Sequence, residues 1–129
     1  MVVTFSSVAL AASGNATYYA PPYVPSSCYG YQDNGVMIAA ASDAIWDNRA
    51  ACGRMYSVRC TGAGCRSTTV TVMIVDYCPT GCQATMDLSQ EAFAAIADLN
   101  AGLIQIEYNE LLTNSTIQIP CIQIRIQIK

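Results

Sequence analysis

Two aspartates, Asp76 and Asp87, stand 11 positions apart on either side of a tight Cys78-Pro79-Thr80-Gly81-Cys82 turn. Two carboxylates that converge on one groove can divide acid and base work, or hydrogen-bond a polyhydroxylated ligand. Brought close together, they repel, and one of the two pKa values rises. The first ends an apolar run from Thr68 to Val75, and the second is placed to open a helix. Each also has a purely structural reading. Asp87 can be a helix N-cap with Gln90 as its capping-box partner. Asp76 can satisfy backbone donors in the turn to Cys78.

Other chemistries are excluded by what the chain lacks. It has no histidine, which removes a Ser-His-Asp triad, a Cys-His pair and histidine-held metals. Its net charge is −3 with only 6 basic residues, so no basic stripe is available for nucleic acid. No apolar run reaches the roughly 18–20 residues of a membrane span. Hydrophobic residues make up 53% and charged residues 12% of 129 residues, which predicts one compact domain with a substantial core.

Seven cysteines in so short a chain point to an oxidising compartment. A zinc site on Cys60, Cys65, Cys78 and Cys82 is the rival, but the flanking turn residues suit small disulfide loops better. No cofactor or metal is expected. The first residues are apolar and small, with Ala-x-Ala-like sites near Ala9 to Ala12, and residues 1–13 are read as a signal-peptide remnant. Asn15-Ala16-Thr17 and Asn114-Ser115-Thr116 are candidate glycosylation sequons at Asn15 and Asn114.

The elements that must carry the carboxylates are mostly strands. Ala16 to Ala20, Met55 to Cys60, Thr68 to Tyr77 and Leu103 to Tyr108 read as strands, and Val36 to Ala41 is apolar. Thr69, Thr71 and Met73 fall on one face of the third of these strands, with Val70, Val72 and Ile74 on the other. Ser42 is placed to cap a short helix to Trp46. Asp87 or Ser89 caps a second helix to about Ala97, with Phe93 and Ile96 inward. Many short strands with one or two short helices make the chain mainly β, in a small barrel. Residues 111–129 form an atypical tail in which isoleucines alternate with Gln and Arg around Cys121. It is read as non-homologous, either disordered or an added edge strand.

Six blocks now occur in order: Gly14 to Tyr19, Ser27-Cys28-Tyr29-Gly30, Met37 to Ser42, Ala51-Cys52-Gly53, Val75-Asp76-Tyr77-Cys78 and Asp87 to Phe93. Over residues 14–110 the chain resembles single-domain expansin-like proteins of the plant natriuretic peptide type. The resemblance implies a six-stranded double-psi β-barrel secreted to the apoplast, the extracellular wall space. It implies disulfides Cys28–Cys52, Cys60–Cys65 and Cys78–Cys82, leaving Cys121 free. Closing the loop from Cys28 to Cys52 is worth roughly 3 kcal/mol.

The same resemblance bears on catalysis. Related endoglucanases use an acid in a His-Phe-Asp motif, matched here by Thr85-Met86-Asp87. Their base lies four positions after the first strand's threonine. Counted from Thr17 this is Pro21, which carries no proton. The chain is therefore expected not to be an enzyme, with weak endoglucanase-like hydrolysis as an alternative.

In expansins, residues matching Thr17, Tyr19, Asp76 and Asp87 line a polysaccharide groove. Wall binding or loosening through that groove is one implied function. Natriuretic peptide-like relatives imply another: action on water and solute homeostasis or stress through a membrane receptor, carried by the stretch from about Ser27 to Cys60. There Trp46, Arg49 and Arg54 are interface candidates. The partner is a receptor or a cell-wall polysaccharide, not nucleic acid and not the membrane interior, and the protein is expected to act as a monomer.

Overall fold

The computed structural model describes residues 11–112. Cys121, Asn114 and most of the expected tail lie outside them, as do residues 1–10. Six strands form a closed barrel: β1 (Ala12–Tyr19), β2 (Ile38–Ala41), β3 (Met55–Thr61), β4 (Thr69–Tyr77), β5 (Met86–Ser89) and β6 (Ile104–Leu111). Around the barrel they run β1-β5-β2-β4-β3-β6, with β6 pairing back onto β1. Two pairings, β1 with β5 and β2 with β4, are parallel. This is the mainly β, six-stranded double-psi barrel expected. It carries two short helices, α1 (Asp43–Trp46) and α2 (Gln90–Ile96).

The barrel is filled by alternate residues. Val70, Val72 and Ile74 of β4 face Val58 of β3, Ile104 and Ile106 of β6, and Met86 and Leu88 of β5. α2 plugs one side with Phe93 and Ile96, both fully buried, and Tyr18 packs against Phe93 with ring centroids 4.8 Å apart. Burial of these side chains contributes about 1.5–3 kcal/mol each.

Four local expectations are corrected. β1 begins at Ala12, because Ala12 and Ser13 pair with Tyr108 and Glu107 of β6. The leader remnant expected to reach residue 13 thus overlaps the first strand. Asp87 does not open a helix: it lies in β5, and Ser89 is the cap of α2. The Ser89 hydroxyl accepts from the Ala92 N–H (3.1 Å) while donating to the Val36 carbonyl (2.5 Å). Ser42 stands at the start of α1, but its hydroxyl donates across to the Thr85 carbonyl (2.7 Å) rather than capping. The closing strand extends to Leu111, past the expected end at Tyr108.

Three disulfides are formed, Cys28–Cys52, Cys60–Cys65 and Cys78–Cys82. The four thiols offered to zinc are therefore consumed. Among the described residues, no helix is long and apolar enough to cross a membrane.

Candidate functional site

A single row of residues crosses four strands on the outside of the barrel. Ala16, Met86, Leu88, Ala39 and Ala41 are core residues. Their alternating neighbours Thr17, Asp87 and Ala40 must point outward. Register aligns them: Thr17 of β1 is opposite Asp87 of β5, and Asp87 is opposite Ala40 of β2. On its other side Ala40 is opposite Asp76 of β4. The row reads Thr17–Asp87–Ala40–Asp76.

Asp76 joins this row only because β4 carries one extra residue. Ala39 pairs with Ile74, yet Ala40 pairs with Asp76, so Val75 is bulged out of the ladder. Without that slip Asp76 would sit opposite Ala41, which is fully buried in the core. A bulge that re-aims one side chain is a common device beside binding sites. Two strand spacings separate Asp76 from Asp87, about 10 Å between Cα atoms. The methyl group of Ala40 leaves the space between them unfilled.

Each carboxylate is held. Thr17 Oγ1 donates to Asp87 Oδ1 at 2.8 Å. Burial pushes the Asp87 carboxyl above its ordinary value, the Thr17 hydrogen bond works against this, and the Asp76 charge adds to it. Like-charge repulsion, the cause expected from spacing, is thus secondary to desolvation. Asp76 Oδ1 accepts from the backbone N–H groups of Ser27 (3.0 Å) and Tyr77 (2.9 Å). The structural role foreseen for Asp76 is therefore real, and it fastens the Ser27 loop to β4.

Tyr19 follows Thr17 by two residues on the same face. Its hydroxyl oxygen is buried and has no hydrogen-bond partner among the described residues. Burial raises its pKa, with Asp76, Asp87 and Tyr23 adding to the rise. A buried phenol without a partner costs free energy, and a ligand hydroxyl arriving there would restore the bond.

Tyr23 meets the Tyr19 ring edge-on, with centroids 5.2 Å apart. Its hydroxyl donates to Glu91 Oε1 (2.5 Å) and accepts from the Gln90 N–H (3.2 Å). Burial, then the bond to Glu91, pushes its pKa up to about 12. Sequence reasoning missed Tyr23. Its position between Pro22 and Pro25 in a rigid loop was the available signal.

The other candidates lie to one side. Trp46 is half-buried, its ring 5.0 Å from that of Tyr77 and 5.7 Å from the Arg49 guanidinium. Arg49 also donates to the Ser27 carbonyl (2.6 Å), which links this group to the Asp76 loop. Arg54 is paired with Asp47 at 2.8 Å and lies 3.9 Å from Glu110. Arg59 bonds Glu107. The tyrosines do not form one platform: Tyr18 packs inward on Phe93, whereas Tyr31 is 80% exposed. Asn15 Oδ1 accepts from the Thr85 N–H (2.9 Å) and its Nδ2 donates to the Gln83 carbonyl (3.4 Å). Among the described residues no group of three His, Cys, Asp or Glu side chains could hold a metal ion.

Comparison with known proteins agrees with this architecture. Residues 38–108 match a double-psi β-barrel family model described as lytic transglycolase. An EG45-like domain containing protein of Citrus jambhiri is 56% identical over 116 residues, covering 84% of this chain and 88% of its own. A putative EG45-like domain containing protein of Arabidopsis thaliana is 47% identical over 114 residues, covering 84% and 90%. Among solved structures, a variant expansin of Clavibacter michiganensis in complex with cellohexaose superposes with a TM-score of 0.65 at 30% identity. That match covers 80% of this chain, which spans about half the length of the expansin (51%). The protein belongs to the EG45-like domain family, expansin-like proteins built on the double-psi β-barrel.

Proposed function

We propose that this protein is an extracellular, non-hydrolytic binder of neutral cell-wall polysaccharide, acting as a monomer through the groove of Thr17, Tyr19, Asp76 and Asp87. The observation that carries the reading is the row Thr17–Asp87–Ala40–Asp76, with the partnerless Tyr19 hydroxyl beside it. Carboxylates and a phenol around a small residue match the hydroxyl pattern of a sugar better than that of an apolar ligand. The likeness to an expansin in complex with cellohexaose supports a glucan as the ligand class. Asp33, Asp76, Asp87 and Glu91 give this face a negative charge, which disfavours polyuronates. Three disulfides support secretion into an oxidising space such as the apoplast.

Absence of hydrolysis rests on two points. By the resemblance to endoglucanases, the position of their base falls on Pro21, which has no titratable group. Asp76 Oδ1 already accepts two backbone N–H groups, which commits that oxygen to holding the Ser27 loop on β4 rather than to a reacting atom.

Binding of the oxidised protein to cellohexaose and to insoluble glucan, measured for wild type and Asp87→Ala, tests this. Saturable binding that is lost in the variant supports it. Equal binding by both, or none by either, overturns it.

A second reading is apoplastic action on water and solute homeostasis or stress through a membrane receptor. It is favoured by three consecutive left-handed residues, Asp47, Asn48 and Arg49, with φ of 53°, 52° and 76°. Such backbone costs free energy and clusters where a side chain must be held in place. Here it holds Arg49 against Trp46. Loss of a protoplast-swelling response in Arg49→Ala, with glucan binding intact, would favour this reading.

A further inference from the structure

The outer face of the barrel does not end at the carboxylates. Along β2, Ile38 precedes Ala40 by two residues and so shares its face, about 6.6 Å away. Ile38 and the bulged Val75 line a cavity of about 290 Å³ with Val24, Val36 and Tyr23. Asn34 lines it too. The cavity thus touches the groove at two points. Val75 is bonded directly to Asp76, and Tyr23 packs on Tyr19. Pro22, Val24, Val36, Ile38 and Val75 make an aliphatic side that the groove lacks, and Ser26, Gln32 and Asp33 join Asn34 on the rest of the wall.

Sugar rings are poor occupants of the aliphatic side, because their hydroxyls would lose water there against branched side chains. An apolar cavity of about 150 Å³ holds a benzene molecule, so about 290 Å³ suits one aromatic ring with its linker. The walls are also fixed. The Val36 carbonyl accepts from Ser89 Oγ, the Met37 carbonyl accepts from the Met73 N–H (3.1 Å), and Tyr23 is pinned by Glu91 and Gln90. A preformed apolar recess loses little entropy on filling.

We propose that this cavity is a subsite for an aryl substituent carried by a neutral sugar chain lying in the adjoining groove. The inference rests on the polysaccharide reading above and narrows its ligand to aryl-decorated glycans. The sugar is hydrogen-bonded around Asp76, Asp87 and Tyr19, and the ring enters between Tyr23 and Val36.

The test compares methyl β-cellobioside with 4-nitrophenyl β-cellobioside by calorimetry on the oxidised full chain. The aryl glycoside is expected to bind about tenfold tighter or more. Val36 is 44% exposed, so Val36→Trp can fill the mouth without disturbing the core. That variant should bind both glycosides equally while keeping wild-type affinity for cellohexaose. Methyl NMR signals of Val24, Ile38 and Val75 should shift with the aryl glycoside and not with the methyl one, a readout that needs no variant. Equal affinities in wild type, or an aryl preference that survives Val36→Trp, overturns the proposal and leaves the polysaccharide reading standing if cellohexaose still binds. If cellohexaose fails to bind while 4-nitrophenol alone binds and Val36→Trp abolishes it, the polysaccharide reading falls and the aryl site stands by itself.

Discussion

Asp76 and Asp87 stand opposite the same residue, Ala40, one from each neighbouring strand. β4 runs parallel to β2 and β5 antiparallel, so the two carboxylates enter the groove from chains running in opposite directions. Their spacing is set by the ladder and not by the loop of disulfide-closed residues between them. Loop changes that keep Cys78–Cys82 should leave it unaltered.

The raised Asp87 carboxyl makes stability depend on pH. Its folded pKa lies above its unfolded one, so between those two values the folded state holds more protons. Stability therefore falls as pH rises through that window, and the cost persists above it. Asp87→Asn removes the cost and keeps an acceptor for Thr17. We expect the variant to be more stable than wild type at pH 7 and to lose that advantage below the window. Asp87 is half-exposed, and solvent screening keeps the gain under about 1 kcal/mol. Thermal melts across pH 3–8 check this, and an advantage that grows toward acid pH would contradict the desolvation argument.

Thr17→Val keeps shape and deletes the hydrogen bond that works against the rise. The Asp87 carboxyl should titrate higher still, read from its carboxyl ¹³C shift. Glucan affinity should drop as well. A titration unchanged or moved downward would mean that the Thr17–Asp87 contact of 2.8 Å carries no weight in solution.

Val75 separates packing from register. Val75→Ala keeps the bulge and should cost about 1–2 kcal/mol in urea unfolding. Inserting an alanine between Ala39 and Ala40 removes the slip by giving Val75 a partner on β2, and should cost far more, because regular alternation then turns Asp76 toward the packed side of the sheet without a partner. Similar costs for the two changes would show that the slip between Ala39 and Ala40 is not what orients Asp76.

The Cys28–Cys52 bond ties the Ser27 loop to the turn that carries Arg49. Replacing both cysteines by alanine should cost roughly 3 kcal/mol. Glucan affinity should fall too, since Ser27 supplies one of the two N–H groups that hold Asp76. Unchanged affinity in the folded variant would show that the Arg49–Ser27 contact alone suffices.

Much of this was legible in the chain. β4 announced itself through strict alternation from Thr69 to Ile74, and its buried positions are the ones that pattern assigns. β5 was hidden. Only four residues long, it runs directly into α2, so Asp87 looked like the start of a helix. Local propensity cannot separate a short strand from a cap when the strand is made by partners 47 and 70 residues away, as Ala40 and Thr17 are from Asp87. The bulge at Val75 was equally invisible, because a register slip belongs to a pair of strands and leaves no trace in either one. Tyr23 escaped because its importance comes from a loop that folds it back onto Tyr19, 4 residues away, and from Glu91, 68 residues away.

The order of strands around the barrel has a kinetic meaning. Every contact that builds the row joins segments distant in the chain, so loops must close before any of it is rewarded. Half-made intermediates hold Thr17, Ala40, Asp76 and Asp87 as four unrelated side chains. A peptide cut from Ser27 to Cys60 keeps Trp46 and Arg49 and contains Ala40 alone of the row. Assembly of the row is therefore an all-or-none event that comes with ring closure, whereas anything read from that peptide reports on a different surface.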